Sequence, residues 1–328
     1  QIQVANSADL AGTLNITLLD GFTPTNESFQ IMTYSSVTGS FGTITGLNFG
    51  DSGFFEYLQD DTGITLTARS TADLSDERTI DLGAGDDTRT LETLQTETNY
   101  TLLDLSDDNS RHIFGVSDAP VIIDGSDGAD DITLGDLDMG AAALTVKAET
   151  ISQTTGTTLN SQSSITLDAD DSTSTIDETI AASINLAGTI DTTGALTLTA
   201  DAVADLALDS PDLTAISADV EITADVAASI LIEDGAAITA DSLDMRANAD
   251  THIVATAETG SALTDAFDIS VTQSAQAGID GATLTIANEL NVHARDELSI
   301  DADFTVDDSG LTGGAHPSLD AAAFNLVL

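Results

Sequence analysis

The sequence predicts an all-β chain: a right-handed parallel β-helix, or β-solenoid, over residues 120–310, with two stacks of coils joined by an irregular segment of strands and loops. Three observations lead there. In stretches such as ILIEDGAAITADSLDMRANAD, Ile230 to Asp250, every second residue is apolar until a glycine or acid corner intervenes, so one face of each short strand is buried. One phrase also recurs: apolar, any, apolar, any, Ala, usually followed by an acid. It opens at Leu144, Ile165, Leu196, Val220, Leu243, Leu290 and Leu298, in steps of 21, 31, 24, 23, 47 and 8 residues. Finally, Gly, Asp, Asn and Ser corners separate the strands, and no helical period of about 3.6 residues survives. A period near 23 residues with two or three strands in each matches one coil of a solenoid. No coil buries its inner face alone, and stacking makes the core continuous. On this reading the step of 47 is two turns and the step of 8 is the next face of one turn. The competing arrangement is an antiparallel sandwich with hairpins at the DGA corners of Asp234 and Asp280, for which the period is too regular.

The elements follow in order. Residues 1–70 carry most of the Phe and Tyr on alternating strands, in the run ADLAGTLNITLLDGFTPTNESFQIMTYSSVTGSF and on to GITLTA. These phrases resemble the closing coils of autotransporter-type and other large secreted β-helix proteins. The resemblance implies that the segment ends one stack, that its aromatics plug the end, and that Gln1 sits mid-coil in a piece of a larger chain. Residues 71–119 lose the period, are rich in acids, and read as an irregular connector, with Pro120 at the entry to the second stack. Residues 120–310 are the main solenoid, in which AASINLAGTIDTTGALTLTAD, AASILIEDGAAITADSLDMRAN and AQAGIDGATLTIANELNVHAR share one scheme. Residues 311–328 break the pattern at Gly-Gly and Pro317 and end apolar, a tail suited to contact with another chain.

Composition narrows what such a rod can do. Lys and Arg number 7 against 56 Asp and Glu, a formal net charge of -49. That field repels nucleic acid and anionic lipid and attracts cations. A compact chain so acidic needs salt or divalent ions to screen it. A hydrophobic fraction of 41% argues against disorder. Of 13 aromatic residues, ten precede residue 115, so the remaining body has a thin core of small and branched aliphatics. Without cysteine there is neither disulfide nor thiolate chemistry. No apolar run reaches the roughly 18 residues of a membrane span. The opening QIQVANSADLAG lacks a signal-peptide pattern, so a leader was removed or the sequence is cut from something longer.

The strongest site signals are two acidic glycine turns. GSDGADDIT, Gly125 to Thr133, and LGAGDDTRT, Leu82 to Thr90, resemble the calcium nonapeptide of repeats-in-toxin proteins. Gly125, Gly128, Asp130 and Ile132 fit in the first and Gly83, Gly85 and Asp87 in the second, while Ser126, Leu82 and Arg89 depart from the pattern. Calcium is a hard ion that takes about six to eight oxygens, which carboxylates and turn carbonyls supply. The resemblance implies calcium, with Asp87, Asp124, Asp127, Asp130 and Asp131 as metal ligands. In that family consecutive turns share each ion, whereas here the two copies stand apart in the sequence. The competing reading is a pair of solvated turns. A third acidic loop, Asp104 to Ser110, reads as an exposed turn.

Parallel β-helices also carry polysaccharide lyases and hydrolases, which need a base or paired carboxylates beside basic and aromatic groups that hold the sugar. Residues 120–310 offer for that only Lys147, Arg246, Arg295, Phe267 and Phe304, so a polysaccharide-active enzyme is the alternative and not the expectation. His112, His252, His293 and His316 are scattered without zinc-site spacing. The chain is similar to filamentous-haemagglutinin-like and autotransporter passenger adhesins. That resemblance implies a non-catalytic, extracellular, cell-surface structural protein. It would act as a stalk between flanking repeats of a longer chain, or as a filament subunit joined to copies of itself end to end.

Overall fold

The computed structural model describes residues 1–19, 22, 24–50, 53–126, 128–173, 179–208, 220–259, 267–306 and 318–321. Within them the chain is all-β, with a large, strongly curled parallel sheet. Among the described residues no helix is long and apolar enough to cross a membrane.

At the start, β1 (Ile2–Gln3), β2 (Ser7–Asp9) and β3 (Thr13–Asn15) lie parallel on β4 (Ser28–Thr33), β5 (Ser36–Thr38) and β6 (Thr43–Thr45). Ile2 stands opposite Met32, Ala8 opposite Val37 and Leu14 opposite Ile44, so each stretch of chain lies on the one 29 or 30 residues later. The corner after β6 needs glycine. Gly46 has φ +79°, and a Cβ there would lie 2.0 Å from the Ile16 carbonyl oxygen.

Hairpins follow. β7 (Gly53–Gln59) and β8 (Gly63–Ser70) pair antiparallel around a turn in which the Asp60 carboxylate accepts from the Thr62 and Gly63 amides. A 3-10 turn at Thr71–Leu74 leads to β9 (Arg78–Asp81). Next come β10 (Thr88–Thr96), β11 (Thr101–Ser106) and β12 (Arg111–Val116). The acidic loop after β11 is its hairpin turn, held by Asp107, which accepts from the Asn109 and Ser110 amides. The order β4-β8-β7-β12-β11-β10 is antiparallel throughout. Much of 71–119, read from the sequence as irregular, is therefore laddered sheet. Aromatics fill a core of its own, with Phe49 against Phe55 at 4.8 Å and Phe54 against Tyr100 at 4.9 Å between ring centroids.

Beyond β10 the same sheet turns parallel. In chain order come β13 (Val121–Asp124), β14 (Asp131–Leu134), β15 (Leu137–Asp138), β16 (Leu144–Ala148) and β17 (Thr150–Gln153). They are followed by β18 (Thr158–Ser161), β19 (Ile165–Thr173), β20 (Thr179–Leu186), β21 (Thr189–Thr192) and β22 (Ala195–Leu208). The last are β23 (Val220–Ile232), β24 (Ala237–Thr259), β25 (Phe267–Ile279), β26 (Thr283–Val306) and β27 (Ser318–Ala321). One parallel ladder runs β10-β14-β17-β20-β23-β25-β27 and a second β9-β13-β16-β19-β22-β24-β26. The chain visits them in alternation, and short β15, β18 and β21 form a row that merges into β24.

In-register apolar rows make the core. Val121, Leu144, Ile165, Leu196 and Leu243 line up in one ladder, and Ile132, Ile151, Ile184 and Ile230 in the other. None is more than 2% exposed. Residues of the three pieces that share one scheme meet in register: Ala182, Ala228 and Ala275, then Leu196, Leu243 and Leu290.

The register corrects the period. From Arg78 the paired positions step through Val121, Leu144, Ile165, Leu196, Leu243 and Leu290, at 43, 23, 21, 31, 47 and 47 residues. A step of 47 is thus one turn and not two. The phrase at Val220 lies in β23 on the opposite ladder, half a turn from Leu196, and the phrase at Leu298 lies in β26 itself, beyond Leu290 on the same strand. The cause is strand length, which grows from 4 residues in β13 to 24 in β26, so later turns are wider. Both inner faces demand the same alternation, and the phrase therefore cannot tell them apart. The DGA corners at Asp234 and Asp280 join β23 to β24 and β25 to β26 across the ladders, and neither closes a hairpin.

Candidate functional site

The two glycine turns are 43 residues apart in sequence, from Asp81 to Asp124, yet the fold stacks them directly. β9 pairs with β13 on one side of the turns and β10 with β14 on the other. Between those ladders the Asp87 amide donates to Asp130 Oδ1 at 2.8 Å, the Ala129 amide to Asp86 Oδ1 at 3.1 Å, and the Asp131 amide to the Asp87 carbonyl at 2.8 Å. Gly128, at φ +152°, has no room for a side chain: its Cβ would lie 2.5 Å from the Gly85 carbonyl oxygen. A third corner, Lys147 to Thr150, lies on the second. The Gly125 amide donates to the Lys147 carbonyl at 3.0 Å and the Asp130 amide to Glu149 Oε2 at 2.6 Å.

The expected ligands fare differently there. Asp130 is 1% exposed, and its Oδ2 is buried without a hydrogen-bond partner. Burial, ahead of the charges of Asp87 and Asp86, raises its carboxyl above the usual range despite the Asp87 amide and Arg89. Asp131 likewise buries Oδ1 without a partner. Asp87 is paired with Arg89 at 2.6 Å, and Asp124 lies 4.0 Å from Lys147. Asp127 lies outside the described residues. Glu149, which no calcium motif pointed to, joins the cluster through the acid that ends the phrase LTVKAE.

Asp124, Glu149, Asp168, Asp170 and Asp171 line an open groove of about 370 Å³, with Lys147 at its wall. Burial raises the carboxyls of Glu149, Asp168 and Asp170, and acidic neighbours add to it: Asp130 and Asp171 for Glu149, Asp201 for Asp168, and both Asp168 and Asp201 for Asp170. The donors are the hard oxygens calcium prefers. Among the described residues, however, no three acidic or imidazole side chains converge closely enough to hold a metal ion. The corner is a charged, under-compensated stack and not a preformed cage.

Elsewhere each Lys and Arg faces an acid. Glu56, 8% exposed, receives Arg69 Nε at 2.9 Å, Arg78 and His112 Nε2 at 2.6 Å. Arg89 also reaches Asp107 at 2.6 Å, and Arg111 binds Asp104 and the Phe41 carbonyl. Arg246 pairs with Asp244, and Arg295 with Asp250 and Glu297.

No family model matches the chain, and no match is found among curated proteins or solved structures.

Proposed function

We propose that this chain is a right-handed parallel β-solenoid that serves as a rigid, acidic, non-catalytic rod in an extracellular cell-surface protein. The observation that carries the reading is the pair of in-register parallel ladders with one continuous aliphatic core. Such a stack buries its inner rows only against neighbouring coils, which favours length over breadth. The net charge of -49 and the absence of cysteine suit a surface turned to salty water. Calcium fits this reading as a stabiliser at the stacked corners. The partnerless Asp130 Oδ2 and the carboxyls of Glu149, Asp168 and Asp170, raised by burial and by acidic neighbours, support that assignment. Such a rod serves either as a stalk between flanking coils of a longer chain or as a subunit joined to copies of itself end to end.

Negative-stain electron microscopy of the purified chain tests the architecture. Discrete rods that widen toward one end are expected, and compact globular particles would overturn the proposal. Thermal melting with and without millimolar calcium tests the ion, since an unchanged midpoint removes it.

A further inference from the structure

Where the hairpin sheet meets the first turn of the parallel ladders, the chain forms an open recess of about 190 Å³. Its lining comes wholly from residues 53–126, every one of them described. Leu58 of β7 stands there 41% exposed, and Ile80, Leu82 and Leu105 complete an apolar wall. Arg89, Arg111 and His112 bring basic groups to the same recess, and Asp60 and Asp81 bring acidic ones. The basic groups too sparse in 120–310 to hold a sugar are gathered here instead. Four of the six arginines precede residue 120, and two of those four line this recess.

Both guanidiniums are fixed before any ligand arrives. Arg111 binds Asp104 through Nε and Nη2 and the Phe41 carbonyl through Nη1. Arg89 reaches Asp87 and Asp107, and its Nε is buried without a partner, a cost that an acceptor on a ligand would remove. Asp60 and Asp81 commit Oδ1 to amides of their own turns, which leaves Oδ2 of each uncommitted. Held donors and acceptors lose little freedom on binding. Together these groups select a chemical class. An anion is repelled by Asp60, Asp81 and the field of a chain at -49, and a cation by Arg89 and Arg111. A neutral polyhydroxyl ring suits all of them, because each hydroxyl both accepts and donates while the ring's C–H face lies on aliphatic carbon. The recess is smaller than the roughly 300–1,000 Å³ of pockets for drug-sized molecules, so it takes one small ring.

We infer that this recess binds a neutral pyranose unit. Arg89 Nε and the spare guanidinium hydrogens donate to its hydroxyls, Asp60 and Asp81 accept from them, and Leu58 lies under the ring. The site is separate from the acidic corners and needs only the hairpin block and the first turn, so it stands whether or not calcium binds.

The chain has no Trp, so L58W places a fluorophore at the mouth and an aromatic face against the sugar. Titration of L58W with glucose, galactose, mannose and their methyl glycosides should shift its emission with at least one of them, saturating in the millimolar range. Saturation-transfer NMR on the parent chain should select the same sugar, bound roughly threefold more weakly than by L58W. Binding of a methyl glycoside marks the end of a glycan as occupant, and binding of the free hexose alone marks a free sugar. R89M should weaken binding roughly tenfold or more, since a charged donor is lost. R246M, which removes an exposed arginine elsewhere, should bind like the parent. Should R89M fail to fold by near-ultraviolet circular dichroism, D81N replaces it, because Asn keeps the Oδ1 that holds the turn and loses the free carboxylate oxygen. D81N should weaken the sugar several-fold. Acetate and putrescine serve as charged probes. Silence of both parent and L58W toward every sugar, a stronger response to either charged probe, or equal losses in the recess variant and R246M would each overturn the assignment.

Discussion

Replacing Glu56 with Gln tests whether the hairpin block is held by one buried anion. Burial alone would push the Glu56 carboxyl upward, but the His112 hydrogen bond, the Arg78 charge and the Arg69 hydrogen bond outweigh it and hold the carboxyl at about 2, against an ordinary 4.5. That difference corresponds to about 3 kcal/mol of folded-state stability. Because the folded value is depressed, the contribution is complete above about pH 4.5 and is lost as the pH falls through about 2. E56Q also leaves Arg69 and Arg78 around a neutral amide, a loss of about 3–5 kcal/mol for a broken buried pair. The three tyrosines give a local reporter, since Tyr34, Tyr57 and Tyr100 are all buried in the aromatic core beside the hairpins and the chain has no Trp. Urea unfolding followed by near-ultraviolet circular dichroism should show E56Q about 3 kcal/mol below the parent at pH 7, with the gap closing toward pH 2. An equal deficit at both pH values would mean that lost packing, and not charge, explains the variant.

Three further outcomes follow from the same geometry. In a chelator, D130N should raise the melting midpoint by about 2–4 °C, because an amide replaces a buried, partnerless carboxylate oxygen. It should also lose any increment that calcium gives the parent, and a calcium response equal to the parent's would remove Asp130 from the ion site. The raised carboxyls of Asp130, Glu149, Asp168 and Asp170 carry the opposite sign from Glu56. Their penalty is present above the folded values and disappears as the pH falls through them. The parallel ladders, followed by far-ultraviolet circular dichroism without calcium, should therefore gain stability on mild acidification from pH 7, and a steady decline would refute the sign. G46A should cost about 2 kcal/mol or more, since it combines a left-handed backbone with a Cβ placed 2.0 Å from the Ile16 carbonyl oxygen. A denaturation midpoint matching the parent's would show that the corner relaxes freely.

Alternation and the recurring Ala phrase made the strands and their parallel stacking legible, whereas the exact register was not: the three similar pieces begin at Ala181, Ala227 and Ala275, and the ladder sets Ala275 opposite Ala228. Nor was the width of a turn. Val220 repeats the pattern of Leu196 because both inner faces need alternating aliphatics, although the two residues lie on different ladders. The stacked corners were hidden for another reason. After β10 the chain leaves the ladder, and β11 and β12 form hairpins before it returns at β13, which inserts a detour between turns that lie in contact. Glu149 was invisible because a one-residue corner carries no glycine signature, and the convergence of Arg69, Arg78 and His112 on Glu56 is purely tertiary.

The hairpins have a mechanical consequence. One 13-stranded sheet runs from β1 through the antiparallel strands to β27, although the side chains beneath it fall into two separate clusters. The hairpins therefore act as a splice: β11 and β12 give side chains to both clusters and join them by backbone bonds. Bodies joined only by a tether would swivel under load. A seam of amides laid crosswise to the pull resists shear along its whole length.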